Sequence, residues 1–270
     1  GEGPSLMLIP AAQSDTYDLD DYPRRFDDPL LMWESEMRRA RPLCDWPTDG
    51  IPTVRPNLGV VFVPSIAGQG YKVQPDQMPW PGEPLSRDVL RAAPSRSVED
   101  APLVRRAAAF YAHHSTHGAT DVAAYLPDTQ GIFDIAHLLY GEDIFFDLAD
   151  DPAWVEELLG ICNDLYTRVS LYLKRQLGEP NASMIHGHGS PQGVYFPHCG
   201  VRVAEDTPTL LSPAMVERHV MPWIEQLAET FGGVFLHYCG LHKGLFELSC
   251  RSHAVRAIDV ANQTITAEAG

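Results

Sequence analysis

The chain has 270 residues, of which 44% are hydrophobic, and a formal net charge of −16 from 36 acidic and 20 basic side chains. That length fits one large domain, and α/β barrels commonly reach it undivided. The acidic balance repels polyanions and argues against a nucleic-acid partner, and no apolar run approaches the ~20 residues of a membrane-spanning helix.

Five scattered cysteines, Cys44, Cys162, Cys199, Cys239 and Cys250, include no CxxC pair. The N-terminus lacks a basic segment followed by an apolar one, so a reduced, cytoplasmic setting is expected. Leu6-Met7-Leu8-Ile9 reads as an opening strand, followed by an acidic loop and a helix over residues 29–41. A Pro-punctuated stretch then leads to a strand Gly59-Val60-Val61-Phe62-Val63. Residues 68–84, rich in Gly, Pro and Gln, show no periodicity and predict a long loop of the kind that carries function.

Ser97-Val98-Glu99-Asp100 has the form of a capping box, so a helix is expected from Ser97, with Leu103, Ala107, Phe110 and His114 on one face. Residues 122–126 predict a strand. It ends in the polar turn Pro127-Asp128-Thr129-Gln130-Gly131, which opens a helix over 132–140 closed by Gly141. Asp151 and Pro152 start the longest helix, whose apolar stripe of Trp154, Leu158, Ile161, Leu165 and Val169 runs down to Leu177, with Cys162 packing beside it.

Met184-Ile185-His186-Gly187-His188-Gly189-Ser190 is Gly-rich and reads as a loop with two solvated histidines; ligands or hydrogen-bond donors to an anionic substrate are the alternative. Val201-Arg202-Val203-Ala204 predicts a strand entering Glu205-Asp206. Paired carboxylates there can bind a cation, orient a histidine, act as acid and base, or cap the following turn. Ser212-Pro213 starts a helix with a stripe of Val216, Val220, Trp223 and Leu227, which Pro222 should kink.

Next, Gly232-Gly233-Val234-Phe235-Leu236-His237-Tyr238-Cys239-Gly240 places an imidazole and a thiol two residues apart at the end of an apolar strand. Side chains at i and i+2 point the same way, so Phe235, His237 and Cys239 share one face and Val234, Leu236 and Tyr238 the other. Zinc favours a His and Cys pairing, yet a catalytic zinc needs about three protein ligands, so simple packing at a strand end stays open. A helix over 241–250 and a strand over 254–260 follow, with Asp259 and Asn262 at that strand's end.

Strands ending in polar residues, each followed by a helix, describe an α/β fold of the TIM (β/α)8 type, with its chemistry at the carboxyl ends of the strands. No GxGxxG, GxxxxGK[ST] or GxSxG motif occurs, which disfavours a doubly wound nucleotide-binding sheet and a nucleophile-elbow hydrolase. The expected strands, near Leu6, Val60, Val122, Met184, Val201, Val234 and Val255, fall short of the roughly eight that close a barrel. Residues 1–270 are therefore expected to form a single barrel domain, incomplete at its carboxyl end.

The segments Glu205-Asp206-Thr207, Leu210-Leu211-Ser212-Pro213-Ala214-Met215, Met221-Pro222-Trp223 and Phe231 onward to Gly240 resemble the uroporphyrinogen decarboxylase superfamily. That superfamily includes the decarboxylase of haem synthesis and zinc-dependent corrinoid methyltransferases that act on thiols. Residues 127–141 and Val54-Arg55-Pro56-Asn57-Leu58-Gly59 extend the resemblance over most of the chain. It implies a distorted TIM barrel with a deep pocket.

The Met-Arg-Gln-Ala-Gly-Arg signature of haem-pathway decarboxylases is absent, so a multiply anionic porphyrinogen is not the expected substrate. Arg55 and Arg202 are the candidates for holding substrate anions. In the methyltransferase branch the zinc ligands are His-x-Cys plus a Cys on the last barrel strand. His237 and Cys239 match the first two, and the resemblance places the third beyond residue 270.

What this branch implies is a zinc-held thiolate acceptor that attacks a methyl group on a corrinoid co-substrate carried by a corrinoid protein. Glu205 or Asp206 would complete the coordination or orient His237, Asp128 would join them as a catalytic group, and Arg55, Gln130, Tyr238, Asp259 and Asn262 would bind a small-molecule substrate. The alternatives are a cofactor-free decarboxylase, with Asp128 and Asp206 stabilising a protonated intermediate, and a non-catalytic tetrapyrrole or corrinoid binder.

Overall fold

The structure, a computed structural model, describes residues 21–45, 48–75 and 77–261. The expected strand at Leu6 to Ile9 and the site candidate Asn262 lie outside the described residues. Helices α1 (Tyr22–Asp27) and α2 (Pro29–Ala40) open the fold. Asp28 caps α2 by accepting from the N–H groups of Leu30 and Leu31, and Pro29 occupies the first helical position, where no donor is needed.

Several expected elements change. The first barrel-like strand is β1 (Ile51–Val54), whereas Phe62 and Val63, expected to end the strand from Gly59, open the short helix α3 (Phe62–Ile66). A short, fully buried apolar run carries no period that separates strand from helix, and Gly59, at φ +66°, turns the chain just before it. The expected long loop over 68–84 folds into a hairpin, β2 (Tyr71–Gln74) with β3 (Gln77–Pro81), and Tyr71 packs edge-on against Phe26 of α1.

After α4 (Arg87–Ala92) comes α5 (Pro102–His117), which starts five residues after the expected capping box at Ser97. Pro102 decides the boundary, because a ring with no N–H belongs in the first turn and not in the interior. Strand β4 shrinks to Ala123–Ala124, and α6 (Ile132–Tyr140) has the expected bounds. An unexpected helix, α7 (Asp143–Asp150), precedes α8 (Pro152–Leu177), which Asp151 caps through the Trp154 N–H and Gly178 ends at φ +68°.

Beyond α8 lie β5 (Ser183–His186), β6 (Gln192–Pro197) and β7 (Val201–Ala204). The predicted single helix after Ser212 is broken at Val220 into α9 (Pro213–His219) and α10 (Met221–Phe231), with Pro222 in the first turn of the second. Strand β8 (Val234–Cys239), helix α11 (Lys243–Arg251) and strand β9 (Val255–Ala261) complete the described chain.

Two main sheets result, β4-β1-β6-β5 of mixed direction and β7-β8-β9 all parallel, with β5 lying against β7. The fold is α/β; a closed eight-stranded barrel is not formed among the described residues. Strand β7 is buried throughout, as parallel strands covered on both faces must be. Val203, Leu236, Tyr238 and Ile258 face the helices, where α8 supplies Leu158, Cys162, Leu165 and Val169. Each fully buried aliphatic side chain of this kind contributes about 1.5–3 kcal/mol.

One buried cation ties α8 to both sheets. Lys174, fully buried, donates from Nζ to Glu179 Oε2 at 2.5 Å, Ser183 O at 3.0 Å and Gly200 O at 2.7 Å, so it holds the starts of β5 and β7 at one point. A Lys174→Met substitution leaves Glu179 and two carbonyls without that cation. Chemical denaturation should show a loss of about 3–5 kcal/mol, the usual cost of breaking a buried pair by removing one partner.

Candidate active site

The parallel register places Ala204 beside His237 and His237 beside Asp259, with Arg202 beside Phe235 two residues earlier. Residues in register share a face. Arg202, His237 and Asp259 therefore point to the side away from α8 and α10, where Arg202 and His237 line a cavity of about 180 Å3 and Asp259 stands beside His237. Asp128, Gln130, Asp206 and Arg55 also line it, as does His188.

Asp128 sits between cations. Its Oδ1 accepts from Arg202 Nη1 at 3.1 Å and from Gln130 Nε2 at 2.8 Å. Burial alone would raise its pKa, but Arg202 and Arg55 outweigh burial and hold the carboxyl below the ordinary range. Gln130 reaches it from a left-handed backbone at φ +60°.

At the other wall, His237 is 3% exposed and bonded through both ring nitrogens. Its Nδ1 lies 3.2 Å from Asp259 Oδ2, while its Nε2 faces Cys239 Sγ at 3.5 Å and Asp206 Oδ1 at 3.8 Å. Asp206 is fixed in turn by accepting the Cys239 backbone N–H at 2.6 Å. The His237 bond holds the Asp259 carboxyl below its ordinary pKa, whereas burial and then Asp206 push the Cys239 thiol up. Without a cation beside it, that thiol stays protonated at neutral pH.

Three of these atoms suit a metal. Asp206 Oδ1, His237 Nε2 and Cys239 Sγ lie within 4.8 Å of one another. Ligands at about 2.05 Å for nitrogen and about 2.3 Å for sulfur on a tetrahedral zinc stand about 3.5 Å apart, which is the spacing of His237 and Cys239. Asp259 occupies the position of the carboxylate that fixes the tautomer of a metal-binding histidine.

Two expected site residues lie elsewhere. Tyr238, 1% exposed, points into the core among the helices, because it occupies the opposite face of β8. Glu205, fully buried, accepts the N–H groups of Phe133 and Asp134 at 3.2 Å, while Asp134 accepts those of Asp206 and Thr207 at 3.0 and 2.8 Å. This exchange clamps the N-terminus of α6 to the loop that carries Asp206. It requires glycine at 131, where a Cβ would come within 2.3 Å of the Glu205 carboxyl carbon. Burial pushes the Asp134 carboxyl up to about 7 and Glu205 well above the carboxylate range.

Of the two histidines read as solvated, His188 lines the site and His186 is buried behind it. His186 is 7% exposed on β5, ringed by Tyr125 and Phe235 at 5.0 and 5.7 Å, and burial, Arg202 and Arg55 hold it far below the ordinary histidine pKa. His188 packs against His237 with ring centroids 4.2 Å apart and the rings tilted by 44°, and burial with Arg202 pushes it down to about 3. The alternation of Met184 and His186 toward one face was the available signal.

No protein-family model matches the chain, and no curated protein matches it. A solved structure of a methyltransferase from Methanosarcina mazei is similar, with a TM-score of 0.55 and 14% identity over 84% of this chain and 62% of that one. This chain thus spans less than two thirds of that structure. The likeness is one of fold. No helix among the described residues is long and apolar enough to cross a membrane.

A histidine whose folded pKa is depressed gives stability that is fully present above its unfolded pKa near 6.5 and is lost as pH falls below it. Replacing His186 by Phe, which suits the Tyr125 and Phe235 surroundings, removes that dependence. Between about pH 7 and about pH 5, wild type should lose thermal stability relative to His186→Phe. Parallel melting curves would refute the assignment of His186 as a buried neutral imidazole.

Proposed function

We propose that the chain is a zinc-dependent methyltransferase of the uroporphyrinogen decarboxylase superfamily, moving a methyl group from a corrinoid to a thiol. The observation that carries this reading is the convergence of Asp206 Oδ1, His237 Nε2 and Cys239 Sγ at the carboxyl end of β8. The fold likeness to a methyltransferase supports it, as does the residue-level resemblance of residues 205–240.

Zinc bound by these three residues would supply a Lewis acid that lowers the pKa of a thiol to give a thiolate near neutral pH. The chain's own groups do the rest. Asp259 accepts the Nδ1–H of His237 and so aims the Nε2 lone pair at Cys239 and Asp206. Arg55 and Arg202 offer a binding place for an anionic group on a small acceptor. Cys239 is exposed and adjoins the pocket residue His237, so a corrinoid protein would present the methyl group from this side.

Asp128 favours a second reading. An ionised carboxylate on the pocket wall, held so by Arg202 and Arg55, suits stabilisation of a protonated intermediate in a cofactor-free decarboxylation.

Metal analysis separates the two. Wild type purified without chelators should hold about one zinc per chain, and cobalt(II) in its place should show a thiolate-to-metal charge-transfer band. Cys239→Ser should abolish both that band and methyl transfer from methylcobalamin to thiols, and Asp259→Asn should weaken metal binding roughly 10–100-fold. Absence of both zinc and the band in wild type would sink the methyltransferase reading.

A further inference from the structure

Asp259 joins two imidazoles. Its Oδ2 lies 3.2 Å from His237 Nδ1 and 3.6 Å from His188 Nδ1, and a ligand atom from each of the three residues lies within 4.8 Å of the others. Nitrogen and oxygen ligands at about 2.1 Å on one divalent cation stand about 3.0–3.4 Å apart, so the two Asp259 separations already match or nearly match a shared metal, and the two imidazoles lie close enough to converge on it by side-chain rotation. His188 adopts φ +46°, a left-handed conformation rare outside glycine and a frequent mark of functional positions.

We propose that His188, His237 and Asp259 form a second metal position, distinct from the Asp206, His237 and Cys239 set, which takes a divalent cation on two imidazole nitrogens and one carboxylate. The two positions use opposite edges of one ring. Cys239 and Asp206 stand at Nε2 and Asp259 at Nδ1. A neutral imidazole has one lone-pair nitrogen, and the other carries the proton. A cation at Nδ1 therefore places the proton on Nε2 and disarms the thiol-containing set, so the chain holds one metal in either place.

The ligand types set different preferences. A thiolate favours zinc and other softer cations, while an imidazole and carboxylate set without sulfur also suits iron(II), manganese(II) and cobalt(II). Access differs as well. The side chains of His188 and Asp259 are 39% and 36% exposed, so a cation reaches them from solvent without opening the core. Arg202 and Arg55 line the pocket that both sets share, so it is the lack of a thiolate that makes this the weaker position.

This inference shares His237 with the proposed zinc site but does not need the thiol, and the test separates them. Cobalt(II) chloride is titrated into metal-stripped wild type, Cys239→Ser, His188→Gly and the double variant, with absorbance and bound metal as readouts. Glycine suits the positive φ at position 188, and circular dichroism reports folding. Should the double variant unfold, His188→Asn replaces the glycine, since Asn tolerates that backbone.

Cys239→Ser is expected to bind cobalt with weak visible bands and no thiolate band, and the double variant to bind it at least about tenfold more weakly. His188→Gly alone should keep the thiolate band. Equal cobalt affinity in Cys239→Ser and the double variant overturns the second position, and so does loss of the thiolate band in His188→Gly, which would make the two sets one site. Wild type lacking the thiolate band would defeat the proposed zinc site, while Cys239→Ser would still report on the second position.

Discussion

The site depends on the register of β8 between its two parallel neighbours. With Ala204 and Asp259 both level with His237, the ladder hydrogen bonds bring Arg202, His237 and Asp259 to one face without help from any side chain. A slip of β8 by one residue would send His237 into the helices and bring Leu236 to the pocket. The buried aliphatic face is what forbids that slip. Packing energy on one side of the sheet thus becomes positional accuracy on the other.

The loop after β7 needs a second constraint, because Asp206 lies beyond the ladder. Glu205 and Asp134 supply it by exchanging backbone hydrogen bonds between α6 and that loop. Each carboxylate fills donors that a helix start or a turn would otherwise leave bare. Burial raises both pKa values, helped at Glu205 by the charge of Asp134 and at Asp134 by that of Asp206. Donors fixed in the backbone offset that cost, and Asp206 is left free to face His237.

Much of this was legible in the residues, and what was not has physical reasons. Gly232-Gly233 before a run of apolar residues, and Ser212-Pro213 before a periodic stripe, announce β8 and α9 unambiguously, since glycine turns and prolines in first turns have few other uses. The i, i+2 spacing of His237 and Cys239 put both on the pocket face, and it equally sent Tyr238 to the core. Strand β1 escaped notice because Pro52 argues against a strand; it lies where the ladder with β6 needs no donor from it. His186 and His188 were read as solvated because glycines flank them. Only packing against Tyr125 and against Phe235 of β8, both distant in sequence, buries His186. Glu205 shows the same limit from the other side: a carboxylate at a strand's end reads alike whether it meets a substrate or the first turn of a distant helix.

Charge placement explains why His237 is the pivot of the pocket. Arg202 and Arg55 are engaged near Asp128, which leaves the opposite wall to Asp206 and Asp259, one at each nitrogen of the same ring. An imidazole between two carboxylates can give its proton to either, and the carboxylate that takes it decides which nitrogen offers a lone pair. Asp259 is the nearer, at 3.2 Å against 3.8 Å, so in the metal-free protein the lone pair faces Cys239 and Asp206. That difference in distance, and not the identity of the ligands, is what orients the ring toward the thiol.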